Sequence, residues 1–268
     1  MDTPQRIRLL GVEVDLVTPA DVLHRLAAWV AADQPAIVAN HNAHSVYLHR
    51  KSPAFRAFYQ AADLIEIDSR PMIAWGRLLG FPVEPQHRCT YLDWRDAFWA
   101  LAQAGSWRVF YLGGAPGVAD AACRRLAAAW PGVGLAAHHG YFDAAGAANE
   151  AVLDEIRAFD PDIVLVGMGM PLQEAWILAN RPRLARGVML SLGAAFDYEA
   201  GVQSAAPRWL GRAGLEWLYR LASQPRRLAF RYLVEPWFLL PAAAGDVAAR
   251  LRRGAAAPGP VGAKSHGR

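Results

Sequence analysis

Asp162-Ile-Val-Leu-Val-Gly-Met-Gly-Met-Pro-Leu-Gln-Glu174 decides how this chain folds. Ile163 to Val166 is an unbroken apolar run rich in β-branched residues, the composition of a strand buried on both faces. Gly167 and Gly169 end it, and Pro171 introduces a helix that carries Glu174 in its first turn, where an acid complements the helix dipole. Strand, glycine-broken loop and helix N-terminus make one unit of an open parallel sheet. Ligands of such sheets bind outside the carboxyl ends of the strands, so Gln173 and Glu174 stand on the edge where chemistry is done.

The same unit recurs to either side. Leu9 to Leu16 reads as a hairpin with Gly11 at its turn, and Thr18-Pro19-Ala20-Asp21 opens a helix with Thr18 as N-cap, Pro19 in the first position and Asp21 in the first turn. Ala36 to Ala39 reads as a strand ending in Asn40-His41-Asn42, Ser45 to Ala62 as one helix, and Leu64 to Ile67 as a strand that delivers Asp68. Trp107 to Leu112 reads as a strand, followed by Gly113-Gly114-Ala-Pro-Gly117 and a helix to about Trp130. Strands at Leu135 to Ala137 and Val188 to Leu192, with helices near 147–158 and 171–184, complete an α/β pattern. The expected fold is Rossmann-like, with an open and mostly parallel sheet over residues 1–202. A helical, basic, aromatic-rich appendage follows over 203–253, and a Gly-, Ala- and Pro-rich tail over 254–268 is expected to be disordered.

With 268 residues, 54% of them hydrophobic, the chain can bury one substantial core and a small appendage. Cys89 and Cys123 have no metal-ligand spacing and are too few for a disulfide framework, which favours a reducing compartment. Met1 to Leu10 is charged and holds no secretory apolar segment, and no run of apolar residues is long enough to span a bilayer. The net charge of +4 hides an asymmetry: residues 1–200 carry 17 Lys and Arg against 21 Asp and Glu, whereas residues 201–268 carry 11 against 3. A basic end on an acidic body suits an anionic partner. In that end Arg208, Arg212, Arg220, Arg226, Arg227 and Arg231 are interleaved with Trp209, Trp217, Tyr219, Phe230, Tyr232 and Trp237. This mixture suits an anionic membrane interface. A nucleic-acid surface would use similar residues, but no nucleic-acid fold signature accompanies them, so no nucleic acid is expected as a partner. Phe230 to Ala244 is too short to span and is broken by Pro236 and Pro241, so lying on a membrane fits better than crossing it.

The candidate site residues fall at strand ends. Gly113 and Gly114 sit between a strand and a helix, where backbone N–H groups can cradle a phosphate, although a tight turn would also select small residues. The spacing is not that of the dinucleotide fingerprint, and the next strand ends in His138-His139 rather than an acid, which disfavours a nicotinamide enzyme. Asp68 can serve as general base or as N-cap of the next helix. Asn40 and Asn42 offer amides to a hydroxyl or pyrophosphate, or cap the helix that follows. Arg88 is a candidate phosphate ligand, Gln173 and Glu174 are candidates for the donor's sugar or base, and Asp197 either supports the site or caps a helix. His41, His138 and His139 form no metal-ligand pattern and no Asp-x-Asp triplet is present, so no metal or other cofactor is expected.

In order and spacing, the block ending at Glu174, the block Gly193-Ala-Ala-Phe-Asp197 and the block Glu216-Trp-Leu-Tyr-Arg220 resemble the bacterial glycosyltransferase family that includes the WecG, TagA and CpsF proteins. The resemblance spans roughly residues 7 to 235. It implies an inverting transfer of a sugar from a UDP-sugar to a polyprenyl-diphosphate-linked saccharide, in exopolysaccharide, common-antigen or teichoic-acid linkage synthesis. It also implies a peripheral enzyme on the cytoplasmic face of the inner membrane, and leaves room for a homo-oligomer. Asp68 falls on the family's candidate base, with Ser69 where the family has glycine. Asn42 matches a family Asn, and Asn40 stands where Thr is usual. Arg88-Cys89-Thr90 corresponds to Arg-x-Thr-Gly with Tyr91 in the glycine's place, and Pro171-Leu-Gln-Glu is close to Pro-Lys-Gln-Glu. Arg220, Arg227 and Arg231 would complete the site over the donor diphosphate. A catalytically silent nucleotide-binding module, kept open by Ser69-Arg70-Pro71, is the alternative from another class.

Overall fold

The computed structural model describes residues 3–193, 195–202, 216–223 and 225–255; the side chains of Glu216, Arg220, Arg227 and residues 253–255 lie outside the description. The expected boundary at 203, the tail from 256 onward, and Arg208, Trp209 and Arg212 also fall outside the described residues.

Strands β1 (Arg6–Leu9) and β2 (Val12–Asp15) form the expected antiparallel hairpin. Its two-residue turn, Leu10-Gly11, has both φ angles positive, at 53° and 81°, as tight hairpins require. Buried Asp15 ties the hairpin down: it receives Arg6 Nε at 2.7 Å and the backbone N–H of Ile65 at 2.8 Å. Thr18 caps helix α1 (Pro19–Ala31) through a reciprocal capping box with Asp21.

The main sheet has six parallel strands: β3 (Ala36–His41), β4 (Leu64–Ile67), β5 (Arg108–Gly113), β6 (Gly134–His138), β7 (Ile163–Gly167) and β8 (Val188–Ser191), in the spatial order β4-β3-β8-β7-β5-β6. Two hydrophobic clusters sandwich it. One face receives Phe55 and Phe58 of α3 (Pro53–Ala61), Val152 and Ile156 of α7 (Ala147–Phe159), and Trp176 and Ile177 of α8 (Leu172–Asn180). The other receives Leu26 of α1, Trp94, Phe98 and Trp99 of α5 (Tyr91–Ala104), Leu126 of α6 (Val118–Ala129) and Phe196 of α9 (Ala195–Glu199). Helices that follow β3 and β7 thus cover one face and helices that follow β5 and β8 the other. The sheet is doubly wound, and a crevice opens at the carboxyl ends between these strands.

Two expectations are corrected. The helix expected over Ser45 to Ala62 is two helices, α2 (Ala43–Lys51) and α3, parted at Ser52. Pro53 holds Ser52 extended (φ −118°, ψ 119°), and Ser52 Oγ caps α3 by accepting from Phe55 N at 3.2 Å. Strand β3 runs two residues further than expected, through Asn40 and His41, because both are paired to β4. Helix α5, which the strand pattern did not single out, buries four aromatic rings: Tyr91, Trp94, Phe98 and Trp99.

After residue 215 the chain returns to the core. Helices α10 (Glu216–Ser223) and α11 (Pro225–Ala229) lead into a π-helical turn over Phe230–Val234, a 3-10 segment over Glu235–Leu239 and helix α12 (Leu240–Ala255). Buried Glu235 pairs with His44 of α2 at 2.7 Å. Asp246 of α12 accepts from Leu10 N at 2.6 Å and from Trp75 Nε1, on α4 (Arg70–Leu78), at 2.9 Å. Among the described residues no helix is long and apolar enough to cross a membrane.

Candidate functional site

Strand order gathers most of the sequence-nominated residues along one edge. Asn40 lies directly beside Glu66 in the β3–β4 register, and Asn40 Nδ2 donates to Glu66 Oε1 at 3.0 Å. Asp68 leaves the end of β4, its backbone N–H held by His41 O at 2.8 Å. It is partly exposed, and the N-cap position of α4 falls on Ser69, whose side chain makes no capping hydrogen bond. Ser69 replaces the family's glycine without strain, since its φ of −117° is open to any residue. Arg88 bridges Ile67, and Cys89 N donates to Ile67 O at 2.8 Å, so the Arg88 segment extends the sheet edge alongside Asp68.

Asn42 is the N-cap of α2; its Oδ1 accepts from His44 N at 3.0 Å and Ser45 N at 3.1 Å. It also receives Arg231 Nη2 at 3.4 Å, which places one appendage arginine at the end of β3. Asn42 therefore caps its helix and seats this arginine. The backbones of Arg220 and Arg227 belong to α10 and α11, and their side chains lie outside the description.

Three glycines pave the middle of the crevice. A Cβ on Gly113 would lie 2.5 Å from Gly167 O, and one on Gly167 would lie 2.4 Å from Gly193 O. The ends of β5, β7 and β8 therefore abut with no room for side chains, forming a backbone shelf in which Gly113 is buried and Gly167 and Gly193 are partly exposed. Gly114, in left-handed conformation at φ 69°, continues it and accepts from Gly140 N at 2.9 Å. Tight packing accounts for Gly113, and Gly114 N donates to Gly167 O at 3.4 Å.

Gln173 and Glu174 lie in the interior. Both are fully buried and neither reaches solvent. Gln173 Oε1 accepts from Gly169 N and Gly193 N, each at 3.2 Å, and Gln173 Nε2 donates to Glu174 Oε1 at 2.7 Å. The pair ties the loops after β7 and β8 together, and Glu174 Oε2 has no partner among the described residues. Burial pushes the Glu174 carboxyl up to about 7. Asp197 sits in the first turn of α9, partly buried, beside the stacked rings of Phe196 and Tyr111.

Sequence reasoning missed the buried polar group beneath this edge. Burial, first, and the nearby Asp68 charge push the Glu66 carboxyl up to about 8, and its Oε2 has no partner among the described residues. His41, fully buried, contacts Ser45 Oγ and packs on the Tyr59 ring at 4.6 Å; burial drives its pKa down to about 3. Tyr59 OH donates to Asn40 O at 2.8 Å. The available signal was one acid inside the apolar strand Leu64-Ile65-Glu66-Ile67. Among the described residues no group of three His, Cys, Asp or Glu side chains is arranged to hold a metal.

Sheet, shelf and basic appendage are joined by a direct match to known proteins. The model of the glycosyl transferase WecG/TagA/CpsF family matches residues 7–253, and this chain belongs to that family. Similar curated proteins include the N-acetylglucosaminyldiphosphoundecaprenol N-acetyl-beta-D-mannosaminyltransferases of Staphylococcus aureus strains MW2 and NCTC 8325. Each is 27% identical over 225 residues, covering 83% of this chain and 87% of the relative.

Proposed function

We propose that this protein is an inverting glycosyltransferase that moves a sugar from a UDP-sugar to a polyprenyl-diphosphate-linked saccharide at the cytoplasmic face of the membrane. The observation that carries the reading is the placement of Asp68, partly exposed, just past the carboxyl end of β4 and beside the Arg88 segment, on the same end of the sheet as the glycine shelf. The relatives' names, which describe transfer of N-acetylmannosamine to a lipid diphosphate, support both the sugar class and the acceptor class.

In this reading Asp68 takes the proton of the acceptor hydroxyl as the oxygen attacks the anomeric carbon. The bond from that carbon to the donor diphosphate breaks on the opposite face, and UDP leaves. Arginines of the appendage offset the negative charge that develops on the diphosphate, so the reaction is proposed to need no metal. The appendage holds the enzyme on an anionic surface, close to its lipid-linked acceptor. A transfer assay tests this: the protein is incubated with UDP-N-acetylmannosamine, then with a panel of UDP- and GDP-sugars, and a short-chain lipid-diphosphate N-acetylglucosamine. Acceptor-dependent UDP release with an inverted linkage is expected. Failure to release nucleotide with any donor in the panel would overturn the reading.

A further inference from the structure

A second cationic site lies away from the proposed catalytic edge, between the carboxyl end of α2 and the returning appendage. It is a pocket of about 470 Å³, lined by His49, Arg50, Lys51 and Arg56 of the core and by Trp237 and Phe238 of the 3-10 segment. No acid lines it, and the nearby Glu235 is buried against His44. Lys51 Nζ stands 5.2 Å over the Phe238 ring. Cations at a helix carboxyl end often do no more than complement its dipole. Here Arg56 already serves the last carbonyls of α2, donating to His49 O at 2.9 Å and Arg50 O at 3.4 Å, so the exposed Arg50 and Lys51 are surplus to that task.

Beside the pocket runs an exposed apolar stripe, in which the Phe230 ring meets Tyr47 edge-on. Phe230, Leu233, Trp237 and Leu240 recur at spacings of three and four and are 52%, 57%, 70% and 59% exposed. Large apolar side chains in a row next to clustered cations match the two layers of a bilayer surface, acyl chains below and phosphates at headgroup level. A soluble polyanion would use the cations and leave the stripe in water.

We propose that this pocket binds the phosphate of an anionic phospholipid headgroup, with the Phe230–Leu240 stripe entering the acyl boundary. The core, and not only the basic appendage, then sets how the enzyme sits on the membrane; this rests on the peripheral-membrane part of the function proposed above.

The test uses the full chain in vesicle sedimentation, with phosphatidylcholine alone and with phosphatidylcholine containing phosphatidylglycerol. Wild type is expected to pellet with the mixed vesicles and not with the neutral ones. Combining Arg50→Ala with Lys51→Ala should lower the partition constant about 20- to 30-fold, the effect of two interfacial cations. Arg124→Ala with Arg125→Ala, exposed on α6 across the sheet, removes the same net charge and should change little. Both double variants should retain the wild-type melting temperature and sugar transfer to a soluble acceptor. Lys51→Glu alone, on the exposed last turn, repeats the measurement should the double variant fold poorly. Equal pelleting of the Arg50/Lys51 variant and wild type overturns the pocket and leaves membrane attachment standing, as does an equal loss in the Arg124/Arg125 variant. A wild type that never pellets overturns the attachment and the pocket together. Because sedimentation needs no turnover, a failure of the proposed reaction is read separately.

Discussion

Asn40 and Glu66 face one another across the β3–β4 register, joined by a 3.0 Å hydrogen bond beneath the proposed catalytic edge. Both are buried, and the second carboxyl oxygen of Glu66 has no partner among the described residues. A buried carboxylate with one hydrogen bond is costly, so the group stays protonated near neutral pH. The edge thus holds two acids in different surroundings, Glu66 buried inside the sheet and Asp68, two residues later, partly exposed.

This difference predicts a pH-dependent stability. With a folded pKa of about 8 against an ordinary value of 4.5, Glu66 binds its proton more tightly in the folded chain. Its stabilising contribution is complete below pH 4.5 and is lost as pH rises towards 8. Glu174, at about 7, acts with the same sign over a narrower range. Glu66→Gln keeps the acceptor for Asn40 and cannot ionise. Urea unfolding at pH 5 and pH 8 should show wild type losing more stability than the variant, by at least about 1.4 kcal/mol, the worth of one pKa unit. Equal losses in the two proteins would remove the neutral-acid assignment.

Much of the frame was legible from the chain because its signals are local. Thr18, Pro19 and Asp21 wrote the start of α1, Gly11 wrote the hairpin turn, and strands buried on both faces read as apolar runs. Strand order was not legible, since β3 meets β8 across 150 residues of sequence and only packing decides such pairings. The Asn40–Glu66 pair was hidden for the same reason: it exists only through register. Gln173 and Glu174 were legible as lying on a helix N-terminus, whereas their burial was not, because the rotation of α8 depends on where Trp176 and Ile177 are buried.

Asp68→Asn is nearly isosteric and removes the proton acceptor. Turnover should fall by about 10²- to 10⁴-fold, the usual share of a general base, with donor affinity retained. The check is single-turnover transfer beside a donor-binding titration. Transfer at the wild-type rate would return Asp68 to a structural role.

Treatment with EDTA should leave the initial rate almost unchanged, because arginines are proposed to meet the diphosphate charge. Complete loss, restored by Mg²⁺ or Mn²⁺, would show that a metal carries that charge.

Gly167→Ala tests the backbone shelf. Its added methyl would sit 2.4 Å from both Gly193 O and Tyr111 Oη, and neither the β8 end nor the stacked Tyr111 ring can retreat cheaply. Overpacking of this kind costs about 1–3 kcal/mol. A lower melting temperature and weaker nucleotide binding should appear together. Unchanged stability would mean that the strand ends have more freedom than their packing indicates.

The appendage is expected to act in two ways that a single deletion would confound. Residues from 216 onward carry Arg231 to the end of β3, and they also bury Ala242 and give Leu10 N its acceptor in Asp246. Removing residues from 203 onward should therefore abolish vesicle binding and turnover and also lower the melting temperature, since the α12 seat on the hairpin and α4 is laid open. Arg231→Ala separates the roles. It leaves Asp246, Glu235 and Ala242 in place while withdrawing one guanidinium from Asn42. On a soluble acceptor, where no membrane takes part, its turnover should fall by about 10- to 100-fold, the range for losing one charge-assisted hydrogen bond in the transition state. Its melting temperature should stay near that of wild type. A variant that transfers sugar normally to the soluble acceptor would make this arginine part of the anchor alone, and the leaving diphosphate would then have to be stabilised by other arginines.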